Sequence, residues 1–313
     1  MNFQQLRIVA ETVKRNFNLT EVASALHTSP SGVSKHIKDL EDELGVELFV
    51  RRGKRLIEMT EPGKELVGIV ERMLLDAKNI KRLAEQFCMS DRGDLTIAAT
   101  HTQARYALPP VIVNFKKAFP DVRLVLHQAS PKETVAMLLD GSADIGVATE
   151  ALDDNPDVAA FPYYSWDHAV IVPAGHALER TKPMTLDAIA EWPIITYDQG
   201  FTGRPLIDKA FAEAGIEPEI VLTALDADVI KTYVELGLGI GLIASMAYDP
   251  KRDTGLTLLD ASGLFARNTS RIAVRQGRYI RGYAYRFLEL CSPDLTESVV
   301  RFSVTPKGEP MTD

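Results

Sequence analysis

The chain has only two cysteines, Cys88 and Cys291, far apart and with no Cys or His at metal-ligand spacing. Neither a disulfide framework nor a zinc site is suggested. The six histidines are scattered, no Gly-x-Ser-x-Gly elbow occurs, and Ser245 sits inside an apolar run, so no catalytic machinery is visible. Long apolar stretches are missing as well. The longest uncharged run of the apolar C-terminal half, Leu236 to Tyr248, has 13 residues including three glycines and a serine, too few to cross a bilayer. Arg7 and Glu11 interrupt the N-terminus before a secretory apolar segment forms, which points to the cytoplasm. With 20 Gly, 17 Pro, 46% hydrophobic and 25% charged residues, the chain is not collagen-like, low-complexity or largely disordered. At 313 residues it is too long for one core of ordinary size.

Positive charge is scarce, except locally. The formal net charge is -8, yet residues 1–92 carry 15 Lys/Arg against 14 Asp/Glu, leaving 20 against 29 in residues 93–313. An acidic body excludes a protein that coats nucleic acid along its whole surface, but not a local basic site. One such site is the segment from Glu47 to Arg55, ELFVRRGKR, which places Gly53 among four cations between apolar flanks. The pattern predicts a short hairpin with a cationic tip.

The preceding residues supply helices. Phe3, Leu6, Val9, Ala10 and Val13 recur at helical spacing, and Leu19, Val22, Ala23 and Leu26 form a second set. After His27-Thr28-Ser29, Pro30 fits the first turn of a third helix with Val33, Ile37, Leu40 and Leu44 on its apolar face. Its other face carries Ser31, Ser34, Lys35 and Lys38. A helix pair, a polar basic helix and a basic hairpin, in that order, predict a winged helix-turn-helix that reads duplex DNA. The expected contacts are those four residues together with Arg51, Arg52, Lys54 and Arg55. A solvated charged face is the plainer alternative. From Pro62 onward Leu66, Val70, Met73, Ala77, Ile80, Ala84 and Phe87 step by four and three, a heptad seam expected to pair with a second copy of itself. Packing against its own domain is the alternative.

Beyond Arg92-Gly93-Asp94, short apolar runs alternate with helical patterns: Leu95 to Thr100, a helix to Phe119, Val122 to His127, Pro131 to Asp140, Asp144 to Thr149. A second block holds Val170 to Pro173, Ile194 to Tyr197, a helix after Gly203, Ile220 to Thr223, Asp226 to Leu236 and Ile240 to Ala244; Arg271 to Arg275 and a helix from Tyr279 to Leu290 return to the first. The plan is α/β in two lobes with two crossovers and a cleft between them, where ligands bind. Thr100-His101-Thr102-Gln103, Thr149, and Thr202-Gly203-Arg204 fall at strand ends or helix starts beside that cleft. Two helix N-termini facing one space, finished by Thr and Gln donors, suit a small oxyanion. Each cluster taken alone favours an ordinary helix cap. Trp166, beside Tyr163 and Tyr164, either lines the cleft or belongs to the core of a domain crossover. Gly237-x-Gly239-x-Gly241 follows a helix rather than a strand, so no dinucleotide cofactor is implied.

With these residues in view, the chain resembles a LysR-type transcriptional regulator over nearly its whole length, and within that family the CysB-like regulators of sulfur assimilation. The resemblance rests on His101-Thr102-Gln103-Ala104-Arg105-Tyr106-Ala107-Leu108-Pro109, on Gly200-Phe201-Thr202-Gly203-Arg204, and on Asp226 to Val234. It implies a winged-helix domain over 1–60, a dimerising linker helix over 61–92, and an effector domain over 93–303 shaped like a type 2 periplasmic binding protein. Lobe I is expected at about 93–165 and 267–303 and lobe II at about 166–266, with a tail at 304–313. It further implies an anion such as sulfate at Thr100, Thr102, Gln103, Thr149 and Thr202, with Trp166 beside it. The expected inducer is acetylserine-like, opposed by reduced sulfur compounds; related members sense sulfonate supply or adenosine phosphosulfate.

Expected partners are double-stranded promoter DNA, the small anionic effector, RNA polymerase and other copies of the chain, as a homodimer through the linker helix and a homotetramer. No cofactor, metal, membrane or catalytic role is expected. Two departures stand out: Pro30-Ser31 replaces the family's Gln-Pro at the recognition helix, and Leu225 replaces the Thr common before Asp-Ala-Asp. Competing classes are a small-molecule binding protein that uses its N-terminal domain for assembly only, and an enzyme acting in the cleft.

Overall fold

Asn2, Asn18 and Ser29 each precede an apolar-periodic run. In the structure, a computed structural model that describes residues 1–53, 55–88 and 92–305, each caps a helix with its side chain. The helices are α1 (Phe3–Lys14), α2 (Leu19–Ala25) and α3 (Pro30–Leu44). Pro30 opens α3, and Gly45, in the left-handed region at φ 71°, closes it. Val33, Ile37 and Leu40 of α3 share one core with Ile8, Val9 and Val22. Leu48, Phe49 and Leu56 of the following hairpin, β1 (Phe49–Arg52) and β2 (Arg55–Met59), complete it. The pair is antiparallel, with Arg52 opposite Arg55 across the tip.

The long α4 (Glu61–Cys88) begins against this domain. Gly63 permits the approach, since a Cβ there would lie 2.2 Å from the Leu48 carbonyl oxygen. The predicted heptad seam divides along α4. Leu66 packs on the winged-domain core and Val70 is buried, whereas Met73, Ile80 and Phe87 are exposed. The first part of the seam thus packs on its own domain, and the later part is left in solvent.

The chain separates into two units, residues 1–87 and 88–313. In the second unit the first sheet contains β3 (Gly93–Ala99), β4 (Val122–Gln128), β5 (Ile145–Ala148) and β6 (Val158–Trp166), with α5 (Leu108–Ala118) and α6 (Pro131–Asp140) between them. After β6 the chain enters β7 (His168–Pro173), α7 (Leu186–Ala190), β8 (Ile194–Tyr197), α8 (Arg204–Glu213), β9 (Ile220–Ala224), α9 (Ala227–Glu235), β10 (Ile240–Ala244) and β11 (Leu256–Asp260). It then returns through β12 (Asn268–Arg275), α10 (Gly282–Cys291) and α11 (Glu297–Val304). The sheet orders are β4-β3-β5-β12-β6 and β11-β7-β10-β8-β9. In the first, β3 runs parallel to β4 and β5 and β12 is antiparallel; in the second, β8 runs parallel to β9 and β10 and β7 is antiparallel. Separate apolar clusters fill the two lobes.

Three elements depart from the sequence reading. The aromatic trio lies in a strand, β6, that the sequence pattern did not mark and that ends where the chain crosses to the second sheet: Pro162 breaks the strand's periodicity, and the ladder with β12 shifts register there, between Ser270 and Arg271. Leu256–Asp260 pairs as an edge strand beside β7. The last helix, α11, runs to Val304, and residues 306–313 of the expected tail lie outside the described residues. No helix among the described residues is long and apolar enough to cross a membrane.

Candidate functional site

In the first unit, α3 presents Ser31, Lys35 and Lys38 to solvent, with Ser34 half-buried. The Ser31 hydroxyl lies 3.1 Å from that of the capping Ser29. On the hairpin Arg52 and Arg55 are exposed, and Lys54 lies outside the described residues. Arg51 differs from them. Its guanidinium donates to Oε2 of the buried Glu41 at 2.7 Å, while Glu41 Oε1 accepts from the backbone N–H groups of Leu48 and Phe49. Glu41, which the sequence pattern did not single out, therefore clamps the wing to α3 and takes up the charge of Arg51.

In the second unit, parallel strands set the site. Thr100 follows β3 and Thr149 follows the neighbouring β5, and the Thr100 N–H donates to the Val147 carbonyl at 3.2 Å. Polar groups at the carboxyl ends of parallel strands face the crevice where such sheets bind ligands. The helix after Thr100 winds in π form over Gln103–Ala107 before continuing as α5. Pro109 and Pro110 lack the N–H groups that would bond the carbonyls of Arg105 and Tyr106, which favours the wider turn. Across the cleft, Thr202 lies between β8 and α8 with φ 42°, a left-handed backbone rare for a β-branched residue.

The threonines do not cap. Thr102 makes no side-chain capping bond, and the cap position of α8 is held by Gly203 rather than Thr202. Instead the buried hydroxyls of Thr102 and Thr202 meet across the lobes at 3.3 Å. Beneath them Ser270, absent from the sequence reading, is a hub. It accepts from Gln103 Nε2 at 2.9 Å and Trp166 Nε1 at 3.0 Å, and lies 3.3 Å from the Thr149 hydroxyl. Both Ser270 lone pairs are then filled, and its one proton is shared between the hydroxyls of Thr149 and Tyr164. Gln103 Oε1 accepts from the Tyr164 hydroxyl at 2.7 Å. Trp166, buried with its one N–H used on Ser270, braces this network.

One expectation is corrected. The α8 N-terminus does not offer open N–H groups to a ligand: Gly203 N–H donates to Glu150 Oε1 at 2.5 Å, Arg204 N–H to the Phe201 carbonyl, and Leu206 N–H to the Gly203 carbonyl; Pro205 has none. An internal carboxylate occupies the place the sequence reading gave to an anion. Further along the cleft, Asp228 of α9 accepts from Tyr106 at 2.8 Å and from Arg105 at 3.3 Å, with Lys231 at 3.0 Å. His101, Asp226 and Asp228 offer ligand atoms within 4.8 Å of one another. Asp226 caps α9 and Asp228 is held by three donors, so this group ties the lobes together rather than presenting open carboxylates to a metal.

A winged helix-turn-helix on the same chain as a two-lobed α/β module with a polar cleft defines a DNA-binding protein governed by a small molecule. The chain belongs to the LysR family of transcriptional regulators: residues 3–64 match the bacterial regulatory helix-turn-helix family of lysR type, and residues 90–295 match the LysR substrate binding domain. It is 60% identical to the transcriptional regulator SsuR of Burkholderia cenocepacia over 96% of this chain and 97% of that protein. It is 50% identical to the regulator CysB of the same organism, over 99% and 98%. The crystal structure of the cofactor-binding domain of the Cbl transcriptional regulator superposes with a TM-score of 0.66 at 49% identity, covering 68% of this chain and 94% of that one. These relatives are regulators, not enzymes.

Proposed function

We propose that the chain activates genes of sulfur acquisition and cysteine biosynthesis, under control of a small anionic effector held between the lobes. Sulfate or an acetylserine-like inducer fits the neutral donors of the cleft. The observation that carries this reading is the buried pair Thr102–Thr202: two hydroxyls from opposite lobes lie 3.3 Å apart, with the Tyr197 hydroxyl bonded to Thr102 behind them, so three O–H groups share two hydrogen bonds and one is left to donate. Thr149 and Gln103 add donors, Thr100 sits at the strand end behind them, and Trp166 stiffens the floor. An effector that bridges the hydroxyls shifts the lobe arrangement by as much as its affinity differs between arrangements.

The DNA contacts are Ser31, Ser34, Lys35, Lys38, Arg52, Lys54 and Arg55, with Arg51 as wing anchor. The exposed part of the α4 seam pairs two chains into a homodimer; a homotetramer and contact with RNA polymerase complete the assembly. Domain limits of 1–60, 61–92 and 93–303 serve these roles, and the cytoplasm is where the DNA lies.

The test is a gel-shift series on promoters of sulfur-acquisition genes at fixed salt, across sulfate, acetylserine and sulfonates, with Thr102→Ala beside the native chain. Loss of one donor to a charged ligand weakens effector binding by about 1.5–3 kcal/mol. Unchanged affinity with intact folding removes Thr102 from the site. A second reading, a regulator of sulfonate use that senses another sulfur metabolite, is favoured by Leu225, 56% exposed where CysB-like chains carry Thr.

A further inference from the structure

Glu150 reaches across the interlobe gap to α8, and neither sequence pattern nor resemblance pointed to it. Its Oε1 accepts from Gly203 N–H, and the N–H groups of Thr202 and of Glu150 itself also favour its charged form. Its Oε2 is buried and has no hydrogen-bond partner. An unmet buried carboxylate oxygen is costly while charged, and is satisfied by a donor or by carrying a proton itself. Burial pushes the Glu150 carboxyl up to about 7 against the pull of those N–H groups.

The cations of the surrounding elements are engaged elsewhere. Arg204 holds Asp208 and the Tyr197 carbonyl, both at 2.6 Å; Arg271 pairs with Asp153; Lys231 with Asp228 and Asp253; Arg105 with Asp228. His168, packed against Gly203, is lowered to about 4 by burial and stays neutral; His101 lies beside Asp226 and Asp228 with its Nδ1 buried and without a hydrogen-bond partner. An ionised Glu150 and an oxyanion would thus meet with those arginines and Lys231 already paired, and like charges so placed force a proton onto one of them.

Building on the effector reading above, we propose that Glu150 is a binding and specificity residue of the effector site. A fully deprotonated oxyanion of the sulfate or sulfonate class enters with one proton, carried on Glu150 Oε2 and donated to the ligand. Oε1 stays on Gly203, so the same carboxyl grips the second lobe while reading the ligand. The sign follows: only the acid form accepts the anion, so affinity is full below about pH 7 and is lost as pH rises through it.

Titration calorimetry of the full-length protein with sodium sulfate, chloride balancing ionic strength, in two buffers of different ionisation enthalpy, measures affinity and proton uptake together. The expected result is a Kd that rises about 100-fold from pH 6 to pH 9, with about one proton taken up per sulfate at the upper end. Glu150→Gln copies the acid form: it binds sulfate at pH 9 about as tightly as the native chain does at pH 6, without proton uptake. A native Kd that is flat over this range with no proton uptake overturns the proposal and leaves the effector reading standing. A Gln variant that keeps the native pH slope also overturns it. Absence of heat with sulfate and methanesulfonate at pH 6 removes the anion reading and this inference with it. Should the variant fail to fold, His101→Gln, which removes the other cleft group with a buried unpartnered polar atom, decides: a slope that survives it stays with Glu150, and a slope lost with it overturns the proposal.

Discussion

Asn268 occupies the space that a side chain on Gly203 would need: a Cβ built there lies 2.4 Å from Asn268 Oδ1 and 2.8 Å from His168 Cε1, at φ 73°. Gly203 is the residue whose N–H holds Glu150, so close packing at one atom fixes a contact between the lobes. Gly203→Ala adds left-handed backbone strain to an overpacked site and is expected to cost on the order of 2–3 kcal/mol in urea unfolding. Gly263→Ala, at φ 84° with open space around it, is the control and carries only the backbone cost of about 1 kcal/mol. Equal losses in the two variants would show that Asn268 yields freely.

The threonine pair makes a separate prediction. If Thr102 and Thr202 act through each other, sulfate affinities of the two alanine variants and the double variant do not add. A coupling of about 0.5–1.5 kcal/mol is expected from one shared hydrogen bond. Additive losses, measured by calorimetry at pH 6, would mean that each hydroxyl meets the ligand independently.

Much of this architecture was legible beforehand, for physical reasons that differ by element. Ile194–Tyr197 and Ile240–Ala244 are wholly buried strands, and continuous apolar runs mark them. Val158–Trp166 was not legible because Pro162 and a register shift erase its alternation. The threonines at strand ends could be listed, and the structure brings Thr102 against Thr202 and Thr149 against Ser270. What they do there could not be read, since a cap and a cross-lobe hydroxyl look alike in one dimension. Ser270 and Glu150 were missed for the same reason. Their signal is contact between segments far apart in the chain, and no local spacing encodes it.

The hairpin yields a prediction about salt. With about three cations per subunit on phosphate, a dimer's affinity for DNA falls with a log–log slope of about −5. Arg51, bound to Glu41 at 2.7 Å, is not one of them, so Arg51→Ala leaves the slope near that value. Arg52→Ala removes two contacts per dimer and brings it to about −3.6. Glu41→Gln places an amide donor against Arg51 and loosens the wing, with about 1–3 kcal/mol lost from the stability of the first unit. Equal slopes for the two arginine variants would reassign the wing contacts.

The exposed end of α4 gives the remaining test. Ile80 is 69% exposed and Phe87 84%, on a 28-residue helix whose first apolar positions are already used by the winged-domain core. Large apolar groups left in water at heptad spacing are stabilised by a matching seam, and a buried charge there has no partner. Ile80→Glu is therefore expected to shift the monomer–dimer midpoint by at least about 100-fold in sedimentation equilibrium, since burying an unpaired carboxylate at each of two equivalent positions costs several kcal/mol. The fold of the first unit should be unaffected, because Ile80 is not part of its core. DNA affinity falls with the dimer, as one head alone forms half of the phosphate contacts. An Ile80→Glu chain that remains a dimer at nanomolar concentration would place the pairing surface elsewhere.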